Sequence, residues 1–151
     1  MIMREKFAEA LKQAQKSQDK RRMSTLRLII AAIHDRDIAN RGASKPPTTD
    51  EEITAILTKM VKQREESARL FEEGGRPELA AQEREENGII RAFLPEQIGE
   101  EELRRACQQV VEDIGADGLR DIGRCMSALK EKYPGRMDFA KASGVVKSIL
   151  Q

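Results

Sequence analysis

Apolar residues along the chain recur every three or four positions, the period of an α-helix, and almost no segment shows the alternation of a strand. This spacing predicts about four helices up to Leu94 and three shorter ones after it. The helix starts carry matching signals. Asp19 is an expected N-cap of the second helix, Thr49 with Glu52 forms a capping box at the third, and Pro77 suits the first turn of the fourth.

The helical pattern breaks most sharply just after Leu94. Pro95 ends the fourth helix because proline lacks a backbone donor, and Gly99 with three following glutamates opens the fifth. The sequence therefore predicts an all-α protein, with an N-terminal helical domain over residues 1–95 and a C-terminal three-helix tail domain over residues 96–151. A tail of about 55 residues buries a small share of its surface, so we expect it to be marginal alone.

Three finer expectations concern helix ends. Gly42 is expected to cap the C-terminus of the second helix. Leu119 is expected to lie on the apolar face of the sixth helix, which follows the turn around Gly115. Asp138 is expected to cap the seventh.

Charge is abundant but segregated along the chain. Of 151 residues, 35% are charged and 39% hydrophobic, and the formal net charge is +1. Residues 1–45 carry 11 basic and 5 acidic side chains, and residues 118–151 carry 7 and 3. Residues 46–117 carry 9 basic and 18 acidic side chains. Two basic ends thus flank an acidic middle, a pattern that bears on binding partners.

The composition also excludes several classes of protein. Five aromatic residues are too few for a platform that stacks single-stranded bases. One histidine and two cysteines exclude a classical zinc module and a disulfide framework. The longest uncharged apolar run, Leu28–Ile33, is too short for a membrane span, and the first residues lack the apolar stretch of a signal peptide. We therefore expect a cytoplasmic protein without a metal, a cofactor or a membrane anchor.

The few potential nucleophiles and bases lie in structural settings. His34 falls beside the apolar stripe of the second helix and is expected to be a half-buried structural histidine. Cys107 and Cys125 fall on or beside apolar helix faces and are expected to pack as small hydrophobic residues. No nucleophile–base pair is visible, and the sequence therefore predicts no catalytic residue.

Polar residues interrupt the inner face of the fourth helix. Glu83 and Glu86 share one side of it, as carboxylate ligands do, but no Glu-x-x-His motif completes a metal site. The sequence favours pairing of Glu83 or Asn87 with Arg64 and Ser67 of the third helix over a ligand-binding cluster.

Binding to nucleic acid is the stronger hypothesis. The last 34 residues contain seven basic side chains against three acidic ones: Arg120, Arg124, Lys130, Lys132, Arg136, Lys141 and Lys147. Short helices with a basic turn and glycines that admit a phosphate backbone suit shape-based contact with RNA. The alternative is a solvated basic face, and the same choice applies to the second basic cluster, Arg21, Arg22 and Arg27.

Several stretches of the sequence resemble the YqeY-like family: Ser24–Ile33, Lys62–Ser67, Gly75–Ala80 and Phe93–Gln97. Asp121–Met126 and Gly135–Asp138 resemble the tail that this family shares with the B subunit of the glutamine-dependent tRNA amidotransferase. The likeness covers essentially the whole chain. Gly99 departs from it, since a serine or a similar cap is expected there.

This resemblance implies an all-helical protein whose tail contacts tRNA, as the corresponding tail does in the amidotransferase. The catalytic part of that subunit has no counterpart in 151 residues. The resemblance therefore implies an accessory protein that binds tRNA or another structured RNA, without catalysis of its own. The resemblance also implies an alternative activity, that of a carbon–nitrogen ligase with glutamine as amide donor.

The candidate RNA-binding residues rest on two grounds. Arg124, Lys130 and Arg136 lie on or beside the matched motifs, whereas Lys132, Lys141 and Lys147 are added on charge alone. The alternative function is a protein–protein adaptor that docks on an amidotransferase or an aminoacyl-tRNA synthetase through the acidic middle.

Overall fold

The computed structural model describes residues 3–151, and these residues form helices joined by turns, without a strand. The all-α prediction is therefore confirmed. A short 3-10 turn, Leu119–Asp121, precedes the sixth helix. The seven α-helices have these bounds: α1 Met3–Ser17, α2 Lys20–Gly42, α3 Asp50–Glu73, α4 Pro77–Arg91, α5 Glu100–Ile114, α6 Ile122–Lys132 and α7 Phe139–Leu150.

The chain forms two compact units, the first ending at Leu94 and the second running from Pro95 to Gln151. In the first unit α1 packs on α2, and α3 forms a hairpin with α4 that packs on α2. In the second unit α5, α6 and α7 each pack on the other two.

The core of the first unit is built from the apolar stripes of all four of its helices. Its largest fully buried side chains are Phe7, Leu26, Ile29, Ile53, Leu57 and Ile90. The ring of Phe93 lies 4.8 Å from that of Phe7, centroid to centroid, at a tilt of 54°. Tilted pairs at this distance are favourable beyond the area they bury, so the residues after α4 help to close this core.

A polar layer lies between α3 and α4. Arg64 forms ion pairs with Glu83, at 3.1 Å, and with Glu86. This confirms the predicted pairing across the hairpin for Arg64 and Glu83. Asn87 instead donates from Nδ2 to the backbone carbonyl of Val61 at 3.1 Å, and its Oδ1 is buried without a partner.

The connection between α2 and α3 is held by one carboxylate. Asp37 accepts hydrogen bonds from the backbone and the hydroxyl of Thr48, at 2.9 and 2.7 Å, and from Arg4. The bond from Arg4, followed by those from Thr48, holds the pKa of Asp37 well below its usual range. The segment after the two prolines is therefore tied to both α1 and α2.

The core of the second unit contains both cysteines. Cys107 and Cys125 are fully buried, and Leu129, Ala142 and Val146 belong to the same cluster. Burial raises the pKa of both thiols, as it does for any group whose charged form loses water. The prediction that they pack as small hydrophobic residues is confirmed.

The helix ends agree with the sequence except at two places. Asp19, Thr49 and Asp138 cap their helices with side-chain hydrogen bonds, as expected. Leu119 is 47% exposed because a 3-10 turn delays the start of α6, so its placement on the inner face was wrong. The left-handed residue after α2 is Ser44, with φ +57°, and not Gly42.

Candidate nucleic-acid interface

The turn between α6 and α7 brings two cations of the second unit together around one aromatic ring. Tyr133 follows the last residue of α6, and its carbonyl accepts the backbone N–H of Arg136 at 3.1 Å. Gly135 has φ +70°, a left-handed conformation that costs glycine little. The turn therefore places Lys132, Tyr133 and Arg136 close together in space.

Residues 96–98, at the start of the second unit, form hydrogen bonds with this turn. The backbone N–H of Ile98 donates to the carbonyl of Arg136 at 2.9 Å. Gln97 Nε2 donates to the carbonyl of Gly135 at 2.7 Å, and Arg136 Nε donates to the carbonyl of Glu96 at 3.1 Å. These bonds join residues nearly 40 positions apart, so they fix the turn through tertiary structure.

Two cations flank the half-buried ring of Tyr133. Lys132 Nζ lies 5.7 Å and Arg136 Cζ 5.9 Å from the ring centroid, within the range of cation–π attraction. Neither cation forms an ion pair with a carboxylate of residues 3–151. We call Lys132, Tyr133 and Arg136 the Tyr133 cluster; it offers two charges and an aromatic surface to a polyanion.

Two other candidates are partly neutralised. Arg124 pairs with Asp121 at 3.2 Å, and Lys141 pairs with Glu100 at 3.3 Å. The backbone N–H of Asp117, together with Arg124, lowers the pKa of Asp121, which keeps that carboxylate ionised. Arg124 remains 64% exposed, so its local pair is weak.

Lys130 and Lys147 are exposed and form no ion pair within the described part of the chain. Lys130 precedes Lys132 by two positions on α6, about 200° around the axis, so the two side chains leave the helix on different sides. Lys141 and Lys147, six positions apart on α7, are likewise separated by about 120°. The structure thus brings together Lys132 and Arg136, and it does not gather all six candidates into one patch.

Sequence reasoning missed Tyr133 as part of this site. The signal was present, because the only tyrosine of the chain lies between two of the basic residues. Glu96 and Gln97, which bond to Arg136 and Gly135 of this turn, are distant in sequence, and no local pattern predicts those bonds.

The residues considered for catalysis are dispersed. His34 is exposed and lines a small cleft between α1 and α2, so the expectation of a half-buried histidine was wrong. The buried stripe of α2 is centred on Ile29 and Ile33, and His34 follows Ile33 about 100° around the axis. Among residues 3–151, no group of three or more potential ligands could hold a metal ion.

A family model described as Yqey-like protein matches residues 4–150, which is nearly the entire chain. The chain belongs to the YqeY-like family. This confirms the resemblance that its motifs carry. Within the part of the chain that the structure describes, no helix is both long and apolar enough to cross a membrane.

Three fungal relatives are similar to this YqeY-like chain. An uncharacterised protein of Schizosaccharomyces pombe is 33% identical over 95 residues, 63% of this chain and 71% of the relative. Altered inheritance of mitochondria protein 41, mitochondrial, of Clavispora lusitaniae is 28% identical over 144 residues, 93% of this chain and 78% of the relative. The protein of the same name from Pyrenophora tritici-repentis is 27% identical over 128 residues, 83% and 68% of the two chains.

Proposed function

We propose that this YqeY-like protein binds a structured RNA, tRNA in the first place, through the cations of its second unit. The Tyr133 cluster carries the proposal, because both of its cations lie against one ring, Arg136 is fixed by a tertiary hydrogen bond, and neither cation forms an ion pair with a carboxylate within residues 3–151. Phosphate contacts by lysine and arginine supply most of the affinity of such complexes. Lys130 and Lys147 add exposed charge, and Arg124 and Lys141 add less because each has an acidic partner.

The role proposed is that of an accessory protein, as the resemblance to the amidotransferase tail implies. An amidotransferase or an aminoacyl-tRNA synthetase is the corresponding protein partner. In this role the second unit recognises the RNA by shape and charge, and the chemistry takes place on another polypeptide.

The test is a gel-shift titration of tRNA with the full chain and with the double variant Lys132→Glu, Arg136→Glu. We expect the variant to bind at least about tenfold more weakly, because two phosphate contacts become repulsive. The matched control is Arg104→Glu, Arg105→Glu on α5, which makes the same charge change on exposed residues of the same unit. Circular dichroism checks that each variant keeps its helices.

If both double variants lose the same affinity, the protein binds RNA by net charge alone and the Tyr133 cluster has no special role. If the wild type and the Lys132→Glu, Arg136→Glu variant bind tRNA equally, the proposed interface is wrong.

The adaptor alternative relied on the acidic middle of the chain. Much of that negative charge is already paired within the first unit, for example Glu65 with Arg91 and Glu72 with Arg84. Pull-downs with and without nuclease separate the two functions, since partners bridged by RNA disappear on digestion and a directly docked protein does not.

A cytoplasmic location stays a prediction. Two of the relatives carry the word mitochondrial in their names. Cell fractionation with antibody detection of the chain distinguishes the two compartments.

A further inference from the structure

The solvent-exposed part of α2 carries large apolar side chains that core packing does not explain. One side of this helix is buried through Leu26, Ile29 and Ile33. A helix with one buried face is normally polar on the opposite face. On α2, however, Leu28 is 48% exposed and Ile38 66% exposed.

Five exposed residues of α2 follow each other in alternating steps of four and three positions: Arg27, Ala31, His34, Ile38 and Arg41. This is the heptad spacing with which one helix meets another along its length in a coiled coil. We call these five residues the α2 seam. It spans about 21 Å, four turns of helix, and all five residues belong to the first unit.

A small cleft between α1 and α2 adjoins the seam. It has a volume of about 170 Å³ and a mainly apolar lining: Arg4, Phe7, Ala8, Ile30, Ile33 and His34. His34 belongs to both the cleft and the seam. A helix lying along the seam can therefore place one apolar side chain in the cleft while another packs on Ile38.

The charge of the seam indicates the chemistry of the partner. None of the five seam residues is acidic, and the exposed Asp35 lies beside the seam, one helical turn from Ala31 and Ile38. Arg27 and Arg41 at the two ends form no ion pair within the described residues 3–151, so the seam itself is positively charged. Charge complementarity across an interface favours a partner of opposite sign. We propose that the α2 seam binds an acidic amphipathic helix of another protein.

A second copy of this chain fits the seam less well. Helices α3 and α4 carry 11 of its 26 acidic residues, and seven of their ten glutamates already have an internal cationic partner: Glu52, Glu65, Glu66, Glu72, Glu83, Glu85 and Glu86. Few free carboxylates remain on these two helices for the arginines of a neighbouring α2, and the apolar face of the acidic helix α5 is already buried in its own unit. A different protein with an unpaired acidic helix is the better complement.

The test uses two synthetic helical peptides of about three heptads with leucine at the core positions. One carries glutamate at the flanking positions and the other carries lysine. Fluorescence anisotropy with the full chain is expected to show binding of the acidic peptide, at least about tenfold tighter than that of the basic one. This ratio corresponds to about 1.4 kcal/mol.

Variants locate the binding site. Ile38→Asp, and separately Arg27→Glu with Arg41→Glu, are each expected to weaken the acidic peptide about tenfold, and Ile38→Ala serves as a milder second variant. The matched control is Leu70→Asp on α3, where the leucine is 55% exposed. This control is expected to leave the affinity unchanged.

Four results would overturn the proposal: no binding of the acidic peptide, equal binding of both peptides, no effect of Ile38→Asp and the double variant, or displacement of the acidic peptide by tRNA. Sedimentation equilibrium of the chain alone adds a fifth. Self-association that Ile38→Asp abolishes would identify a second copy as the occupant and would contradict a foreign acidic helix. The RNA titrations address the second unit, so failure here is distinguishable from failure there.

Discussion

The two units of this protein use similar charged residues in opposite ways. In the first unit, arginines join different helices: Arg64 links α3 to α4, Arg21 links α2 to α4 at Glu85, and Arg36 links α2 to α3 at Glu52. In the second unit, most ion pairs lie within one turn of chain and are highly exposed, such as Arg105 with Glu101, at 71% and 86%. Ion pairs therefore join helices in the first unit, whereas the paired cations of the second unit stay mostly exposed to solvent.

Removing one arginine from each unit is expected to give the largest difference in stability between them. Arg64→Met leaves Glu83 and Glu86 facing each other with side chains only 24% and 16% exposed. We expect the free energy of unfolding to fall by about 2 kcal/mol, less than for a fully buried pair because water still reaches the site. Urea unfolding measures the change.

The matched change in the second unit is Arg105→Met, which removes an exposed pair and is expected to cost less than about 0.5 kcal/mol. Equal losses in the two variants would mean that the ion pairs of the first unit do not hold its helices together.

The pH dependence of stability tests a second arginine–carboxylate contact of the first unit, that of Arg4 with Asp37. The folded pKa of Asp37 lies below that of an unfolded aspartate, so its contribution is complete above about pH 5 and is lost as the pH falls through the unfolded value of about 4 and towards the folded one. We therefore expect Asp37→Asn to flatten the acid side of the stability profile, measured by urea unfolding at a series of pH values. Asp35→Asn, an exposed neighbour on α2, is the control and should leave the acid side as steep as in the wild type.

The smallest expected effect concerns the turns. The left-handed residues of the second unit are both glycines, Gly115 and Gly135. The first unit has Gly75 in that conformation together with two non-glycine residues, Gln18 at φ +58° and Ser44 at φ +57°. Ser44→Gly removes the steric cost of the left-handed region, partly offset by the greater chain entropy of glycine. We expect a gain of about 0.5 kcal/mol, seen as a small rise in Tm; a fall in Tm would show that the serine side chain stabilises the turn.

Local signals made the fold predictable. The caps at Asp19, Thr49 and Asp138 and the break at Pro95 act over a few residues, and helical periodicity places the core without further knowledge. The pairing of Arg64 with Glu83 was predictable because the two residues lie on inner faces of adjacent antiparallel helices. The delayed start of α6 was not, because a 3-10 turn follows from local hydrogen bonds that apolar spacing does not encode.

The candidate site was harder to predict from the sequence than the fold was. The basic residues of the tail could be identified, but their partners could not, since Arg136 bonds to Glu96 across 40 positions. The exposure of His34 and of the α2 seam also depends on which stripe of α2 the other helices cover. The sequence distinguished the six basic residues only by their match to the family motifs, whereas the fold distinguishes them by their ion pairs and by the ring of Tyr133.

The salt dependence of tRNA binding tests the central claim most directly. Each phosphate neutralised contributes about 0.7 to 0.9 to the slope of log affinity against log salt. If Lys132 and Arg136 each contact a phosphate, the slope of the Lys132→Glu, Arg136→Glu variant should be shallower than that of the wild type by about 1.5, and that of the Arg104→Glu, Arg105→Glu control should be unchanged. A slope that is the same in all three proteins would contradict the account.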